Sequence, residues 1–299
     1  MKTAREFMVT KLVTLDPEAP VLHSIHKLIH VNIKGAPVVG PGRRYLGIFT
    51  ERCCLRALSS LTDRLSSADL RVRSLSSGDL MTKQLWMLQP EMDAFEAVNF
   101  LLSHRLSGAP VVDREGRFLG VFSESLSMRV LVDALYDNLP GVQVRRYMEL
   151  DPGCLIDEDL GFDEVVETFL RTAYRRLVVV RDERVVGQIS RHDVLVNSHA
   201  LVRSLSKRKE VSGTSWTVAK FMDADARTID ESLSIFSVAT IFRETTQRRL
   251  PVLRDNQLVG QITRKNLLNA ANEILNRPAT KTAQPLYLPS VPDANPPGM

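Results

Sequence analysis

One pattern of residues occurs four times in this chain and limits what it can fold into. A short apolar strand is followed by a turn, by a second strand that ends shortly after a glycine, by a hydroxyl residue, and by a helix. The four glycines are Gly47, Gly120, Gly187 and Gly260, separated by 73, 67 and 73 residues. Repeats 1 and 3 are therefore 140 residues apart, as are repeats 2 and 4. This spacing indicates duplication of a pair and predicts two modules of two repeats each.

The residues around each glycine predict the local structure. In repeat 3, apolar residues of 162–173 recur at the spacing of one helix face, which predicts a helix before the hairpin. Asp157 and Asp230 follow short strands and precede such helices, so we expect their carboxylates to cap them. A second helix is expected after each hydroxyl residue, for example over residues 193–204. The hairpin turns are predicted at 40–43, 114–116, 182–183 and 255–256.

Each unit has the order strand, helix, strand, strand, helix. Such a small α+β unit is not stable alone, so the repeats are expected to pair. We place them at 1–58, 75–138, 142–203 and 215–276. Residues 59–78, which hold seven serines, and residues 204–214 are expected to contain linkers. Six of the fifteen prolines lie in 277–299, which predicts a disordered tail in preference to a docking peptide.

Composition argues against several broad classes of protein. The 299 residues are 44% hydrophobic and 25% charged, as in soluble globular proteins. Apolar stretches are shorter than a membrane span requires and the N-terminus is charged, so we expect neither membrane insertion nor export. Three cysteines with a vicinal pair do not suggest a disulfide framework, which predicts a cytoplasmic location. The net charge of +4 gives little support to nucleic acid binding.

The seven residues that begin at each glycine share a pattern. Repeat 3 reads Gly187-Gln-Ile-Ser-Arg-His-Asp193, and repeat 4 has the same pattern ending in Asn266. Repeats 1 and 2 keep the glycine and the hydroxyl but end in Cys53 and Leu126. These runs resemble the signature of the CBS domain, the regulatory unit named after cystathionine β-synthase. The resemblance covers about residues 3–275, and two such pairs resemble two Bateman modules.

The resemblance implies a non-catalytic regulatory protein that senses adenine nucleotides (AMP, ADP or ATP) in clefts between paired repeats. Asp193 would accept hydrogen bonds from the ribose hydroxyls, and Ser190 would lie near the phosphates at a helix N-terminus. Thr263 and Asn266 would form a weaker second site in repeat 4. The other candidate nucleotide-binding residues are basic residues for the phosphates and strand residues for the adenine: Arg175, Arg176, Arg191, Arg248, Arg249 and Lys265, then Leu155, Ile156, Thr228 and Ile229.

The two modules are not expected to be equivalent. Cys53 and Leu126 cannot replace the acid, and repeats 1 and 2 lack the arginine pairs, so we expect nucleotide binding mainly in the C-terminal module. The N-terminal module is expected to be structural or to serve dimerisation. Either the two modules pack together within one chain or two chains form a homodimer. A partner, an effector protein that the sequence does not identify, is expected to receive the signal.

Other interpretations stay open. A protein-interaction or dimerisation scaffold with degenerate ligand sites is the alternative, motivated by the missing acids in three repeats. In another interpretation Asp193 is a helix cap and nothing more, and the arginine pairs are solvated surface or contacts with a partner. His26 and His30 are four residues apart on a predicted helix, but nothing completes a metal-ligand set, so no metal site is predicted. The sequence offers no combination of acid, base and nucleophile, so no enzymatic activity is predicted.

Overall fold

Each repeat folds around a β-hairpin, as the sequence predicts. The computed structural model describes residues 2–62, 75–83, 86–128, 142–206, 216–245 and 247–275. Repeat 1 pairs β1 (Gly35–Val39) with β2 (Tyr45–Thr50), and repeat 2 pairs β3 (Gly108–Val112) with β4 (Phe118–Ser123). Repeat 3 forms a sheet from β5 (Leu155–Asp157), β6 (Arg176–Arg181) and β7 (Arg184–Ser190). Repeat 4 forms one from β8 (Ile229–Asp230), β9 (Arg249–Arg254) and β10 (Gln257–Thr263).

A helix precedes each hairpin along the chain and another follows it. The preceding helices are Val21–His30, Ala94–Ser103, Phe162–Arg171 and Ile235–Glu244. The following helices are Glu51–Thr62, one that begins at residue 124, Arg191–Ser206 and Arg264–Leu275. The helix predicted over 162–173 is confirmed, although it ends at Arg171 because Thr172 is extended. Within the described ranges, no helix has both the length and the apolar character that crossing a membrane requires.

The hairpin turns lie where the sequence predicts them. The turn residues Asp182 and Glu183 have φ angles of 47° and 62°, and Asp255 and Asn256 have 50° and 62°. Two successive residues with positive φ give the turn whose twist matches that of antiparallel strands. Asp and Asn tolerate this backbone better than most residues, which explains their positions.

The helix caps predicted at Asp157 and Asp230 are wrong. Each aspartate ends a strand, and its Oδ1 accepts the backbone amide two residues further along at 2.9 Å. The helices begin later, after Gly161 and Ser234. The two carboxylates therefore stabilise tight turns between strand and helix.

The helices after the hairpins extend beyond the repeat ends that the sequence suggests. Glu51–Thr62 and Arg191–Ser206 enter the expected linkers. Ser76 caps the short helix Ser77–Leu80, so the end of the first expected linker belongs to repeat 2. The remainder of both linkers, at 63–74 and 207–214, and the tail at 277–299 lie outside the described residues.

Repeats pair within each module by exchanging their leading segments, which are residues 3–12, 76–83, 142–151 and 216–225. Each leading segment bridges to the second hairpin strand of the paired repeat: Val9 to Val121, Thr82 to Ile48, Glu149 to Gln261 and Asp223 to Gln188. A Cβ on Gly120 would lie 2.6 Å from the Val9 carbonyl oxygen, and one on Gly187 would lie 2.8 Å from that of Asp223. The glycines of the repeat pattern therefore permit the close backbone contact that pairs the repeats.

Two hydrophobic cores join the modules to each other. One core contains buried residues of repeats 1 and 3, among them Phe49 and Phe169. The other contains residues of repeats 2 and 4, among them Phe122 and Phe242. Because each core draws on both modules, the modules pack together within one chain. A homodimer remains a prediction.

Candidate functional site

A cleft of about 190 Å³ lies between repeat 4 and the leading segment of repeat 3. We call it the repeat-4 cleft. The backbone bridge between Glu149 and Gln261 brings the two repeats together at this place. The cleft brings together four of the candidate residues from the sequence: Arg249, Thr263, Lys265 and Asn266. The other lining residues were not candidates: Glu149, Asp151, Gln261 and Asn269.

The hydroxyl and the last residue of the signature are hydrogen-bonded to each other in repeat 4. Asn266 Oδ1 accepts the Thr263 backbone amide at 2.9 Å and also the Thr263 hydroxyl. The backbone amide of Asn266 donates back to Thr263 Oγ1 at 3.1 Å. This reciprocal pair is a capping box at the start of the helix Arg264–Leu275. It explains why the signature separates its hydroxyl and its last residue by three positions.

Repeat 3 contains the same pair with a carboxylate. Asp193 Oδ2 accepts the Ser190 amide at 2.7 Å and the Ser190 hydroxyl at 2.6 Å. The Asp193 amide donates back to Ser190 Oγ at 3.3 Å. Asp193 Oδ1 has no hydrogen-bond partner among the described residues. Asp193 therefore caps its helix with one carboxylate oxygen and leaves the other unpaired within the described part of the chain.

The pair is weaker in the N-terminal module. Thr50 Oγ1 lies 3.4 Å from Cys53 Sγ, and a thiol is a poor hydrogen-bonding group. Leu126 has no polar side-chain atom. The local geometry of repeats 1 and 2 therefore provides no carboxylate or amide at the signature position.

Arg191 forms hydrogen bonds with backbone carbonyls at the C-terminal end of a helix. Its Nη2 donates to the carbonyl oxygens of Phe169 and Thr172, both at 3.1 Å. These carbonyls have no partner within the helix Phe162–Arg171, and a cation there also favours the helix dipole. Burial, together with the nearby Arg175 and Arg52, lowers the pKa of Arg191 to about 10, against the opposing effect of Glu51. Arg191 therefore has a structural role whether or not a ligand binds.

Charged side chains of the four repeats meet in a central charge cluster of Lys34, Glu51, Glu124, Arg175 and Arg248. The N-terminal module supplies both acids, and the C-terminal module supplies both arginines. Burial raises the pKa of Glu51 and Glu124, while nearby positive charges, Arg175 among them, lower it. Two candidate phosphate-binding residues, Arg175 and Arg248, thus lie near carboxylates of the other module.

The remaining two arginines of the pairs contact amide side chains. Arg176 Nη1 donates to Gln247 Oε1 at 2.9 Å. Arg249 Nη1 donates to Gln261 Oε1 at 2.6 Å and to Cys154 Sγ at 3.2 Å. These contacts hold the Arg249 guanidinium against the wall of the repeat-4 cleft.

The residues expected to face the adenine lie apart from this cleft. Leu155 and Ile156 belong to β5, and Ile156 is part of a core. Thr228 and Ile229 line a separate, more open hollow of about 340 Å³ beside the turn of the repeat 4 hairpin. In the repeat-4 cleft, the wall opposite the signature residues is formed by the leading segment of repeat 3, through Glu149 and Asp151.

The leading segments carry a signal that sequence reasoning missed. A methionine recurs in each of them: Met8, Met81, Met148 and Met222. Each packs against the glycine of the paired repeat; Met148 Sδ lies 3.2 Å from where a Cβ on Gly260 would be. The recurring methionine marks the segment that approaches the signature of the paired repeat. Glu149 and Asp151 follow Met148 closely, so this signal could have predicted them in the cleft.

The comparisons with known proteins agree with this architecture. The uncharacterized protein MJ1225 of Methanocaldococcus jannaschii is 23% identical over 270 residues, covering 86% of this chain and 94% of that protein. Its crystal structure, described as that of a proposed archaeal homolog of g-AMPK, matches with a TM-score of 0.78 at 20% identity. The match covers 90% of this chain and 99% of that one. The chloroplastic CBS domain-containing protein CBSX1 of Arabidopsis thaliana is 26% identical over 201 residues, 66% of this chain and 64% of that protein.

The family comparison is the most specific of these findings. The model of the CBS domain matches residues 4–60, 77–125, 150–199 and 218–273, which together exceed half of the chain. Each match contains one hairpin and its signature glycine. This chain therefore belongs to the CBS domain family and contains four CBS domains.

Proposed function

We propose that this chain is a non-catalytic regulatory protein that senses adenine nucleotides in its C-terminal module and passes the signal to an effector protein. The observation that carries the proposal is the repeat-4 cleft, where Thr263 and Asn266 lie beside Arg249 and Lys265. Guanidinium and ammonium groups suit the phosphates of a nucleotide. The N-terminus of the helix Arg264–Leu275 adds backbone amides and the positive end of a helix dipole.

Asp193 is the residue that we propose to bind the ribose in repeat 3. The two hydrogen bonds from Ser190 fix the carboxylate before any ligand arrives. Its Oδ1 can then accept ribose hydroxyls in charge-assisted hydrogen bonds, which are about twice as strong as neutral ones. An acidic residue has the same role in dinucleotide-binding folds. The bonds to Ser190 therefore supply preorganisation as well as a cap.

The position of the repeat-4 cleft suggests how a ligand would change the protein. A nucleotide there would touch repeat 4 and the leading segment of repeat 3 at once. It would therefore favour one packing of the two repeats over another. An effector that binds one packing more tightly would respond to the nucleotide, and in the cytoplasm such a protein would report the energy state of the cell.

Thermal unfolding with AMP, ADP and ATP tests the proposal. A ligand at a hundred times its Kd stabilises by about 2.7 kcal/mol. For a unit of this size, that raises the Tm by roughly 5–10 °C. We expect such a shift with at least one nucleotide. Asp193→Ala should reduce it, and adding Asn266→Ala should remove it.

Cys53→Ala is the matched control, because Cys53 occupies the same signature position in repeat 1. It should keep the nucleotide shift of the unsubstituted chain. If no nucleotide changes the Tm of the unsubstituted chain, the proposal is wrong. That result would favour a protein-interaction scaffold, in which Arg191 and its counterparts serve packing alone.

A further inference from the structure

Repeats 3 and 4 present opposite hydrogen-bonding groups at the same signature position. Asp193 gives one carboxylate oxygen to Ser190 and keeps the other, which is an acceptor. Asn266 gives its only oxygen to Thr263 and keeps Nδ2, which is a donor. The orientation of the Asn266 amide follows from the Thr263 backbone N–H, which can donate only to an oxygen. The two repeats therefore differ in what they can recognise.

Asn266 Nδ2 is available to a ligand. Asn266 is only 8% exposed and lines the repeat-4 cleft. No described residue accepts a hydrogen bond from its Nδ2. Because Asn266 lines the cleft, its Nδ2 can donate a hydrogen bond to an acceptor on a ligand there. Lys265 lines the same cleft; it forms no ion pair within the described part of the chain, and its charge also acts on Glu124 of repeat 2, whose pKa it lowers.

The opposite wall of the cleft is acidic. Glu149 and Asp151 come from the leading segment of repeat 3, and Asp151 Oδ1 accepts the Tyr174 hydroxyl at 2.8 Å. These carboxylates repel an anionic group and attract a hydrogen-bond donor, such as the amino group of adenine. An anionic group in the cleft is therefore directed to the wall that holds Lys265 and Asn266.

We propose that the repeat-4 cleft prefers an adenosine nucleotide with a phosphate on its 2′ or 3′ oxygen over one with both ribose hydroxyls free. The ester phosphate would accept from Asn266 Nδ2 and pair with Lys265. Dinucleotide-binding folds make the same distinction, with an acid for the free 2′-hydroxyl and a basic residue for the 2′-phosphate. This inference rests on the proposed nucleotide function. It adds that the two repeats of the C-terminal module recognise different ribose edges.

Isothermal titration calorimetry on the full chain tests the preference. The chain carries Asp193→Ala, so that the measured affinity is that of the repeat-4 cleft. The probes are AMP, adenosine 2′,5′-bisphosphate and adenosine 3′,5′-bisphosphate. At least one bisphosphate should bind about tenfold more tightly than AMP, because its ester phosphate adds charge-assisted contacts. Asn266→Asp should reverse that order by restoring an acceptor. Asn269→Asp places the same charge in the same cleft about one helical turn away, and as the matched control it should reduce the preference for the bisphosphate less than Asn266→Asp does.

The outcomes separate this inference from the proposed function. Equal binding of AMP and the bisphosphates, or a reversal by Asn269→Asp as large as that by Asn266→Asp, would overturn the preference. If AMP binds the unsubstituted chain through Asp193 but no bisphosphate binds the Asp193→Ala chain, the preference is wrong and the nucleotide function stands. If no nucleotide binds the unsubstituted chain, both are wrong.

A second variant keeps the test independent of folding. Asn266→Asp is expected to fold, because Ser190 and Asp193 already form the same capping pair with a carboxylate. Should it not fold, Lys265→Ala replaces it. That variant should lower bisphosphate affinity about tenfold and change AMP affinity less, because it removes the cation next to the ester phosphate. An equal loss for both ligands would overturn the preference.

Discussion

The imidazole Nδ1 of His192 in repeat 3 lies 3.4 Å from Oε1 of Glu51 in repeat 1. Both side chains are largely shielded, with 17% and 7% of their surface exposed. Burial lowers the pKa of His192, Lys34 lowers it further, and Asp193 opposes both. Burial raises the pKa of Glu51, against the effect of Lys34. The two modules thus meet at a pair of groups whose charged forms are both disfavoured by burial.

We expect His192 to make stability depend on pH. Its pKa is lower in the folded chain than the ordinary value of about 6.5, so the unfolded chain binds more protons between these two values. The contribution of His192 to stability is therefore present above about pH 6.5 and is lost as the pH falls through the folded pKa. Urea unfolding at several pH values should show a smaller loss of stability towards acid pH in His192→Gln.

His23→Gln, at an exposed helix position, is the control for this measurement and should keep the pH dependence. Glu51 contributes the opposite slope, since its raised pKa favours the folded chain as the pH falls. The comparison is therefore made between variants at each pH. An unchanged pH dependence in His192→Gln would contradict the burial of its neutral form.

The glycines that pair the repeats should differ in their tolerance of alanine. A Cβ on Gly120 would lie 2.6 Å from the backbone oxygen of Val9, which cannot move without shifting the leading segment. A Cβ on Gly260 would lie 3.2 Å from the flexible Met148 side chain and 3.4 Å from the Glu149 oxygen. Gly120→Ala should cost about 1–3 kcal/mol of unfolding free energy and Gly260→Ala less than about 1 kcal/mol. Equal losses in urea unfolding would show that this close approach does not limit the packing.

The cap and ligand roles of Asp193 can be separated. Asp193→Asn keeps an oxygen for the Ser190 amide, as Asn266 does for Thr263, whereas Asp193→Ala removes it. Asp193→Ala should therefore lower the unfolding free energy by about 1 kcal/mol, while Asp193→Asn should change it little. Both variants should weaken AMP binding, because both remove the free carboxylate oxygen. A loss of stability in Asp193→Asn as large as that in Asp193→Ala would contradict this division of roles.

Local patterns predicted much of the fold. The hairpins, their turns and the amphipathic helices follow from alternation, helical spacing and turn residues, which act over a few positions. The repeat glycines were recognised from their spacing, but their role as contact points between repeats required the structure, because their neighbours are more than 30 residues away. The prediction of helix caps at Asp157 and Asp230 was wrong for a local reason. Asp carboxylates stabilise turns as well as helix starts, and the sequence does not tell the two apart.

The candidate site was predictable only on the side that the signature supplies. Thr263, Lys265 and Asn266 lie within four consecutive positions, so the pattern brings them together at a helix start. Glu149 and Asp151 come from a segment more than 100 residues earlier, and only the exchange of leading segments places them in the cleft. The basic candidate residues have different roles, which their charge alone does not predict. Arg191 binds helix carbonyls, while Arg249 lines the cleft.

Arg264 should be the basic residue on which stability depends most in repeat 4. Its Nη2 donates to the carbonyls of Phe242 and Thr245 at 2.8 and 2.9 Å, and its Nη1 donates to Ser125 Oγ of repeat 2 at 2.6 Å. Arg264→Leu would leave two helix-end carbonyls unpaired and should cost about 2–4 kcal/mol. Ser125→Ala removes only the bond between modules and should cost about 0.5–1.5 kcal/mol.

Arg243→Leu, at an exposed position of the preceding helix, is the control in urea unfolding and should change the free energy by less than about 0.5 kcal/mol. The difference in unfolding free energy between Arg264→Leu and Ser125→Ala measures what the bonds to the helix end contribute beyond the contact between modules. If the two variants were equally destabilised, the bonds to Phe242 and Thr245 would contribute nothing. The stabilising role of Arg264, and by equivalence that of Arg191, would then have to be abandoned, and both arginines would become available for a ligand.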